Sequence, residues 1–186
     1  MSRELLSNFT FRKATSEEVP EVVTHYNDVR ASIDPCMHES TDWAPFNSER
    51  ILQIIQAQNL YLLCHRDTNT LIGATFLSLE APHFWRDLTT PAIYVEKFSV
   101  TASLRKGGLQ VGNQRIRVGG QIFLPLIEKY ARTLGLHYLR LDYPTENKKL
   151  GEYYLKIGFK IIDQATYTGP ISGNPIRATL LQRSIH

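Results

Sequence analysis

The chain has 186 residues, 42% of them hydrophobic and 21% charged, with 11 glycines and 9 prolines, the make-up of a globular protein and not of a disordered or collagen-like one. Its length suits a single domain over residues 1–186 that buries about 70% of the surface its unfolded chain would expose, so no disulfide staple is needed. A net charge of +3, from 21 basic and 18 acidic residues, is too small to argue for wholesale nucleic-acid or membrane binding.

Taken in chain order, Phe9–Arg12 alternates as a first strand should. Thr15 with Glu18 three residues later is a capping-box signature that opens a helix. Its apolar positions Val19, Val22, Val23, Tyr26, Val29 and Ile33 keep near-helical spacing up to a stop at Asp34-Pro35. A polar stretch leads to Asn47 or Ser48, which caps a second helix carrying Ile51, Leu52, Ile54 and Ile55. Leu60–Cys64 and Leu71–Leu77 flank an Asp/Asn/Thr-rich turn and read as an antiparallel hairpin. After the aromatic loop His83-Phe84-Trp85, Ala92–Val100 reads as a long central strand interrupted by Glu96 and Lys97.

Ile122–Leu134 is a strong helix ended by Gly135, and Pro125 places its start near Gly120 or Gln121. Leu136–Asp142 is the next strand, Asn147–Lys156 a short helix ended by Gly158, and Phe159–Ile162 and Ile176–Leu181 are two closing strands. The resulting order, β-α-α-β-β-β-α-β-α-β-β, is a mixed α/β layer arrangement.

Cys36 and Cys64 form no disulfide framework, and Cys36 with His38 reads as a loop pair before it reads as metal ligands, so no metal is expected. The first residues lack the apolar core of a signal peptide and no run reaches about 18 apolar residues, which gives a cytoplasmic, non-membrane protein as the expectation.

Between Val100 and Ile122 lie Arg105, Lys106, Arg115 and Arg117 with no acid among them, together with Gly107, Gly108, Gly112, Gly119 and Gly120. A basic, glycine-rich passage from strand to helix offers free N–H groups and the positive end of a helix dipole, which suits a phosphate or pyrophosphate. A solvated flexible loop is the plainer alternative. GxGxxG and GxxxxGK[ST] are both missing, which disfavours nicotinamide and ATP sites. A nucleic-acid contact through residues 105–117 is disfavoured by the lack of interleaved aromatics.

Tyr94-Val-Glu-Lys-Phe-Ser-Val100, the Arg/Gly-rich turn, a helix ending Tyr130–Leu136, Leu139-Arg-Leu-Asp142, and Asn147 followed by Tyr154 and then Gly158-Phe159 together resemble the GNAT superfamily of acyl-CoA N-acyltransferases. The last element is the most specific piece. The resemblance implies a mixed, mostly antiparallel central sheet of about six to seven strands flanked by about four helices. The family's phosphate turn, Arg/Gln-x-x-Gly-x-Gly/Ala, fits no register cleanly: Arg117 to Ile122 ends in Ile, Arg115 to Gly120 has Val118 at the first glycine, and Arg105 to Gln110 is followed by a poor helix. Counting back from Gly135 favours residues 115–122, which makes Thr101–Gln114 an insertion, a basic flap over cofactor or substrate.

The resemblance further implies acetyl-CoA as co-substrate, bound by the backbone of Phe98, Ser99 and Val100 at the pantetheine arm. The pyrophosphate falls to Arg115, Arg117, Val118, Gly119, Gly120, Gln121 and Ile122, and Asn147 also belongs to the cofactor set. A primary amine of a small molecule or peptide attacks the thioester directly, with Tyr154 as the acid for the departing thiolate and Glu96 as the base, its pKa raised by partial burial. The plainer readings are a half-buried helix aromatic for Tyr154 and a solvent-facing or cross-strand-paired side chain for Glu96. From Thr15 to Arg50 there are eight acids against two bases, and the family places the loop between the first two helices at the acceptor. Asp34, Glu39 and Asp42 with Trp43 are therefore the expected amine-binding set, unless the segment is simply a solvated acidic face. A homodimer is compatible with the resemblance, and the alternative function is a CoA-binding regulatory module without turnover.

Overall fold

The computed structural model describes residues 3–33, 43–86, 89–111, 113–169 and 173–185. Its elements run α1 (Arg3–Ser7), β1 (Phe9–Lys13), a short 3-10 turn (Ser16–Glu18), α2 (Val19–Ala31), α3 (Ser48–Gln56), β2 (Leu60–His65), β3 (Leu71–Ser78), β4 (Ala92–Val100), α4 (Ala102–Gly107), β5 (Leu109–Val111), β6 (Gln114–Ile116), a π-helical turn (Gly119–Phe123), α5 (Leu124–Thr133), β7 (Tyr138–Pro144), α6 (Lys148–Lys156), β8 (Lys160–Thr168) and β9 (Pro175–Ser184). Seven strands form one sheet in the order β1-β2-β3-β4-β7-β9-β8, and β5 and β6 form a separate hairpin. The pairs β1/β2, β2/β3, β7/β9 and β8/β9 are antiparallel and β4/β7 is parallel, so the expected mostly antiparallel α/β sheet is present. The described residues hold six helices in place of about four, because the short α1 and α4 lack the apolar periodicity that marks a helix in sequence.

The chain divides into two compact units, one of residues 1–32, 45–77 and 97–129, the other of residues 33–44, 78–96 and 130–186. In the first, Arg12 donates two hydrogen bonds to the Glu18 carboxylate, at 2.9 and 2.6 Å, while Glu18 accepts from the Thr15 amide at 2.9 Å, completing the capping box. This pairing with Arg12 holds the Glu18 carboxyl below its ordinary range. Helix α2 then turns Val19, Val22, His25, Tyr26 and Val29 inward at helical spacing. Tyr26 stacks on Phe46 at 4.7 Å and meets Phe76 edge-on at 5.4 Å. Strand β2 is buried from Leu60 to Cys64, as a strand covered on both faces must be.

The helix leading into α5 starts earlier than expected. Pro125 lacks an N–H and its ring crowds the carbonyl four residues back, so a regular α-turn cannot simply run through it. The chain winds the preceding turn more widely, with the Leu124 amide bonded to the Gly119 carbonyl five residues back, and Pro125 becomes the second residue of α5.

In the second unit, Leu139, Leu141 and Tyr143 of β7 are buried with Ile176, Ala178, Leu180 and Leu181 of β9. Arg140 is fully buried among them, bonded to Tyr94 Oη at 2.9 Å and Gln182 Oε1 at 2.8 Å, with its guanidinium 5.4 Å from the Trp85 ring. Trp85 therefore belongs to the core, and Phe84 stacks on Tyr167 at 4.2 Å, so the aromatic loop covers a core edge. Strands β8 and β9 run longer than expected because polar Asp163, Gln164 and Thr166 sit on the outer strand of the sheet, where alternation is weak.

Candidate functional site

In the first unit the site begins on β4. Its residues Ala92–Val95 are buried, Glu96 is exposed, and Ser99 and Val100 are buried again. Lys97 takes φ 46, a left-handed conformation rare for a residue with a side chain, and so interrupts the regular pleat. The parallel ladder to β7 covers only Ala92–Tyr94 against Tyr138–Arg140.

Ser99 is held from behind. Its hydroxyl donates to the Ala74 carbonyl at 3.0 Å, and His25 Nε2 lies 2.9 Å away. A carbonyl only accepts, so both contacts form together when the serine donates to Ala74 and the N–H of the Nε2 tautomer of His25 donates to Ser99 Oγ. Burial drives the His25 pKa down from 6.5 to about 4 and keeps the ring neutral, with Asp28 only partly opposing the shift. The sign follows from linkage: between about pH 4 and 6.5 the unfolded chain binds a proton that the folded chain refuses, so stability rises with pH through that window. We expect about 3 kcal/mol to be lost on acidification from pH 7 to 4 through this group. Urea unfolding at several pH values checks this, and His25→Gln, which can still donate to Ser99, should flatten the slope.

Beneath Ser99 the chain comes very close to Gly73, where a Cβ would lie 2.5 Å from the Ser99 carbonyl oxygen and 2.9 Å from Phe123 Cε1. Only glycine fits that approach. Neither His25 nor Gly73 stood out in the sequence, where the only signal was a histidine on the apolar stripe of α2.

Beyond β4, the stretch read as a flap is α4 followed by the β5–β6 hairpin. Two of its four cations are tied down within the protein: Arg105 donates to the Ser32 carbonyl at 3.1 Å and to the Ser32 hydroxyl, and Arg115, on β6, donates to the carbonyls of Gly107 and, at 3.1 Å, Lys106. Arg117 differs. Its backbone amide is capped by Gln121 Oε1 at 2.6 Å, whereas its exposed guanidinium makes no bond to a described residue. It stands immediately before the turn in which Gly119 and Gly120 are half-buried and Val118 and Ile122 buried.

In the second unit, Asn147 caps α6, its Oδ1 accepting from the Leu150 amide at 3.1 Å, and Gly158 ends that helix's last turn with φ +94, where a side chain would be strained. Tyr154 is buried at 6% exposure with its ring 5.6 Å from Phe159 and 6.3 Å from Tyr143. Burial, chiefly, and then Tyr153 and Asp142, raise its pKa above the ordinary value of 10, so the phenol stays protonated. Its Oη makes no hydrogen bond to a described residue.

Glu96 corrects an expectation. It is exposed, so the partial burial invoked to raise its pKa is missing. The predicted acceptor residues Asp34, Glu39 and Asp42 lie outside the described residues, as do Cys36 and His38; Trp43 is half-buried in the second unit. The structure thus groups Phe98–Val100 and Arg115–Ile122 in one unit, and Glu96, Trp43, Asn147 and Tyr154 in the other. Among the described residues no group of three His, Cys, Asp or Glu is placed to hold a metal, and no helix is long and apolar enough to cross a membrane.

No family model matches the chain, and no curated protein matches it. Solved structures do. A GNAT-family acetyltransferase from Listeria monocytogenes superposes with a TM-score of 0.69 at 18% identity, over 95% of this chain and 94% of that one. The RimL ribosomal L7/L12 alpha-N-protein acetyltransferase, in complex with coenzyme A, gives 0.65 at 17% identity over 96% and 95%. YncA from Salmonella typhimurium, solved with acetyl-CoA, gives 0.61 at 15% over 96% and 95%.

Proposed function

From the GNAT fold that these superpositions show, we propose that the chain is an acetyl-CoA-dependent N-acetyltransferase acting on a primary amine of a small molecule or peptide. The fold, shared over nearly the full length of both chains, is the observation that carries the reading. The local geometry supports it: a widened, glycine-bearing helix start with a free guanidinium at Arg117 fits a pyrophosphate, through its N–H groups and the helix dipole.

Val118, Gly119, Gly120, Gln121 and Ile122 then bind the pyrophosphate, with Arg117 as the neighbouring cation. Arg115 is assigned to bracing α4, since its guanidinium is already engaged by carbonyls. The backbone of Phe98, Ser99 and Val100 receives the pantetheine arm, with the His25–Ser99–Ala74 chain fixing it from behind, and Asn147 contributes its free amide group. In the transfer step the neutral amine nitrogen forms a bond to the thioester carbonyl carbon and the carbon–sulfur bond breaks. The thiolate takes the Tyr154 proton, the new amide nitrogen loses one, and solvent restores the phenol. Glu96, being exposed, serves as base through water.

The test is release of free thiol from acetyl-CoA with a panel of primary amines. We expect amine-dependent release with intersecting initial-rate lines, the pattern of a ternary complex. Parallel lines would indicate an acetyl-enzyme and overturn direct attack, and tight CoA binding without release would make the chain a regulatory module.

A further inference from the structure

Helix α6 buries two of its nine residues, Gly151 and Tyr154. They stand three apart in sequence and so share one face of the helix. Glycine is the poorest helix former after proline, and at the fourth position of α6 it caps neither end. The fit around it supplies the reason for its presence. A Cβ at Gly151 would collide with Tyr143 Oη and would lie 2.7 Å from Tyr143 Cζ and 2.9 Å from Cε2. The Tyr143 phenol is therefore seated against bare helix backbone, closer than any side chain at position 151 would allow.

Tyr143 has little freedom to move away. It is 7% exposed, and its place on β7 is fixed by pairing with Thr179 of β9. The link from β7 to α6 is short and tied on both sides. The Thr145 amide donates to the Arg177 carbonyl at 2.9 Å, its hydroxyl lies 3.0 Å from that of Thr179, and the Asn147 amide donates to the Pro144 carbonyl at 2.8 Å. The Tyr143 ring centre stands 6.3 Å from that of Tyr154, nearly one turn beyond Gly151. All of these residues belong to the second unit.

We propose that Tyr143 is a positioning residue for Tyr154: seated on Gly151, it fixes how far α6 stands from β7 and so where the Tyr154 hydroxyl meets the departing thiolate. The proposal rests on the transferase reading above. A proton passes between heavy atoms only about 2.6–3.2 Å apart, and a misplacement of about 1 Å can cost about 100-fold in rate. A methyl group at 151 lifts the helix face that carries the acid, so its effect should fall on kcat.

Initial rates of thiol release, read well below each variant's melting temperature, test this. Gly151→Ala should lower kcat about 30-fold and leave KM for acetyl-CoA within about threefold. Adding Tyr143→Leu gives the new methyl the room that the phenol held and should restore about tenfold of that loss. In Tyr154→Phe no acid is left to misplace, so Gly151→Ala should lower kcat there by less than about twofold. Glu152→Ala, exposed on the same helix, should keep the parent rate. If Gly151→Ala does not fold, Tyr143→Leu alone, which leaves a gap in place of a clash, carries the same comparison with Tyr154→Phe. Gly151→Ala at the parent rate, no recovery in the double variant, or losses that multiply in full with Tyr154→Phe overturn the proposal. A parent that releases no thiol with any amine removes the transferase reading and this role with it, whereas an active parent with multiplying losses removes this role alone.

Discussion

Replacing Tyr154 by phenylalanine is expected to lower kcat for acetyl transfer by about 100-fold or more, the usual worth of a positioned acid, with little change in KM for acetyl-CoA. The ring sits buried against Phe159 and Tyr143, and phenylalanine fills the same space, so the variant should melt close to the parent temperature. Its hydroxyl has no described protein partner to orphan, which separates a chemical loss from a structural one. Tyr153→Phe is the control and should leave the rate within about twofold. Because burial raises the Tyr154 pKa, no fall in rate from its ionisation should appear below the ordinary tyrosine value near 10. A Tyr154→Phe enzyme at full speed would remove Tyr154 from the mechanism.

The second large effect is expected at Gly73. In Gly73→Ala the new methyl would stand 2.5 Å from the Ser99 carbonyl oxygen and 2.9 Å from the Phe123 ring. The ring can tilt but the carbonyl belongs to the strand backbone. Overpacking of this kind costs about 2–3 kcal/mol, roughly 6–10 °C of Tm for a chain of this size. If Phe98–Val100 receive the pantetheine arm, displacing Ser99 should also raise KM for acetyl-CoA while kcat falls less. Gly107→Ala is the matched control, since its Cβ would meet nothing nearer than 4.0 Å. Thermal melts and initial rates on the two variants decide the matter, and equal Tm values would refute the close approach.

The central elements were legible because their signals are local. The span Ala92–Val100 is the observed strand to the residue, and the Thr15–Glu18 box and the hairpin around residues 66–70 stand where the sequence places them. What the sequence withheld depends on distant partners. His25 carries no signal of its own in the sequence until Ser99, 74 positions away, gives its ring a hydrogen-bond partner. The α4 and β5–β6 segment hid because Leu104, Leu109, Val111 and Ile116 are too few and too irregular to set a period. Arg115 and Arg117 look alike as sequence, yet strand geometry turns one onto neighbouring carbonyls and leaves the other free. Glu96 looked suited to partial burial because four buried residues precede it, but the left-handed Lys97 beside it breaks the strand's alternation there.

That same lysine inverts, at one position, the substitution preferences of the strand it belongs to. Elsewhere along β4 the residues best tolerated are the stiff, branched ones that favour a pleated backbone. At φ 46 the ordering reverses: glycine and asparagine are the easy replacements, and valine or isoleucine, good almost anywhere else in β4, are the costly ones. Any mutational profile of this strand therefore carries the mark of its backbone at Lys97, independent of what the side chain there does.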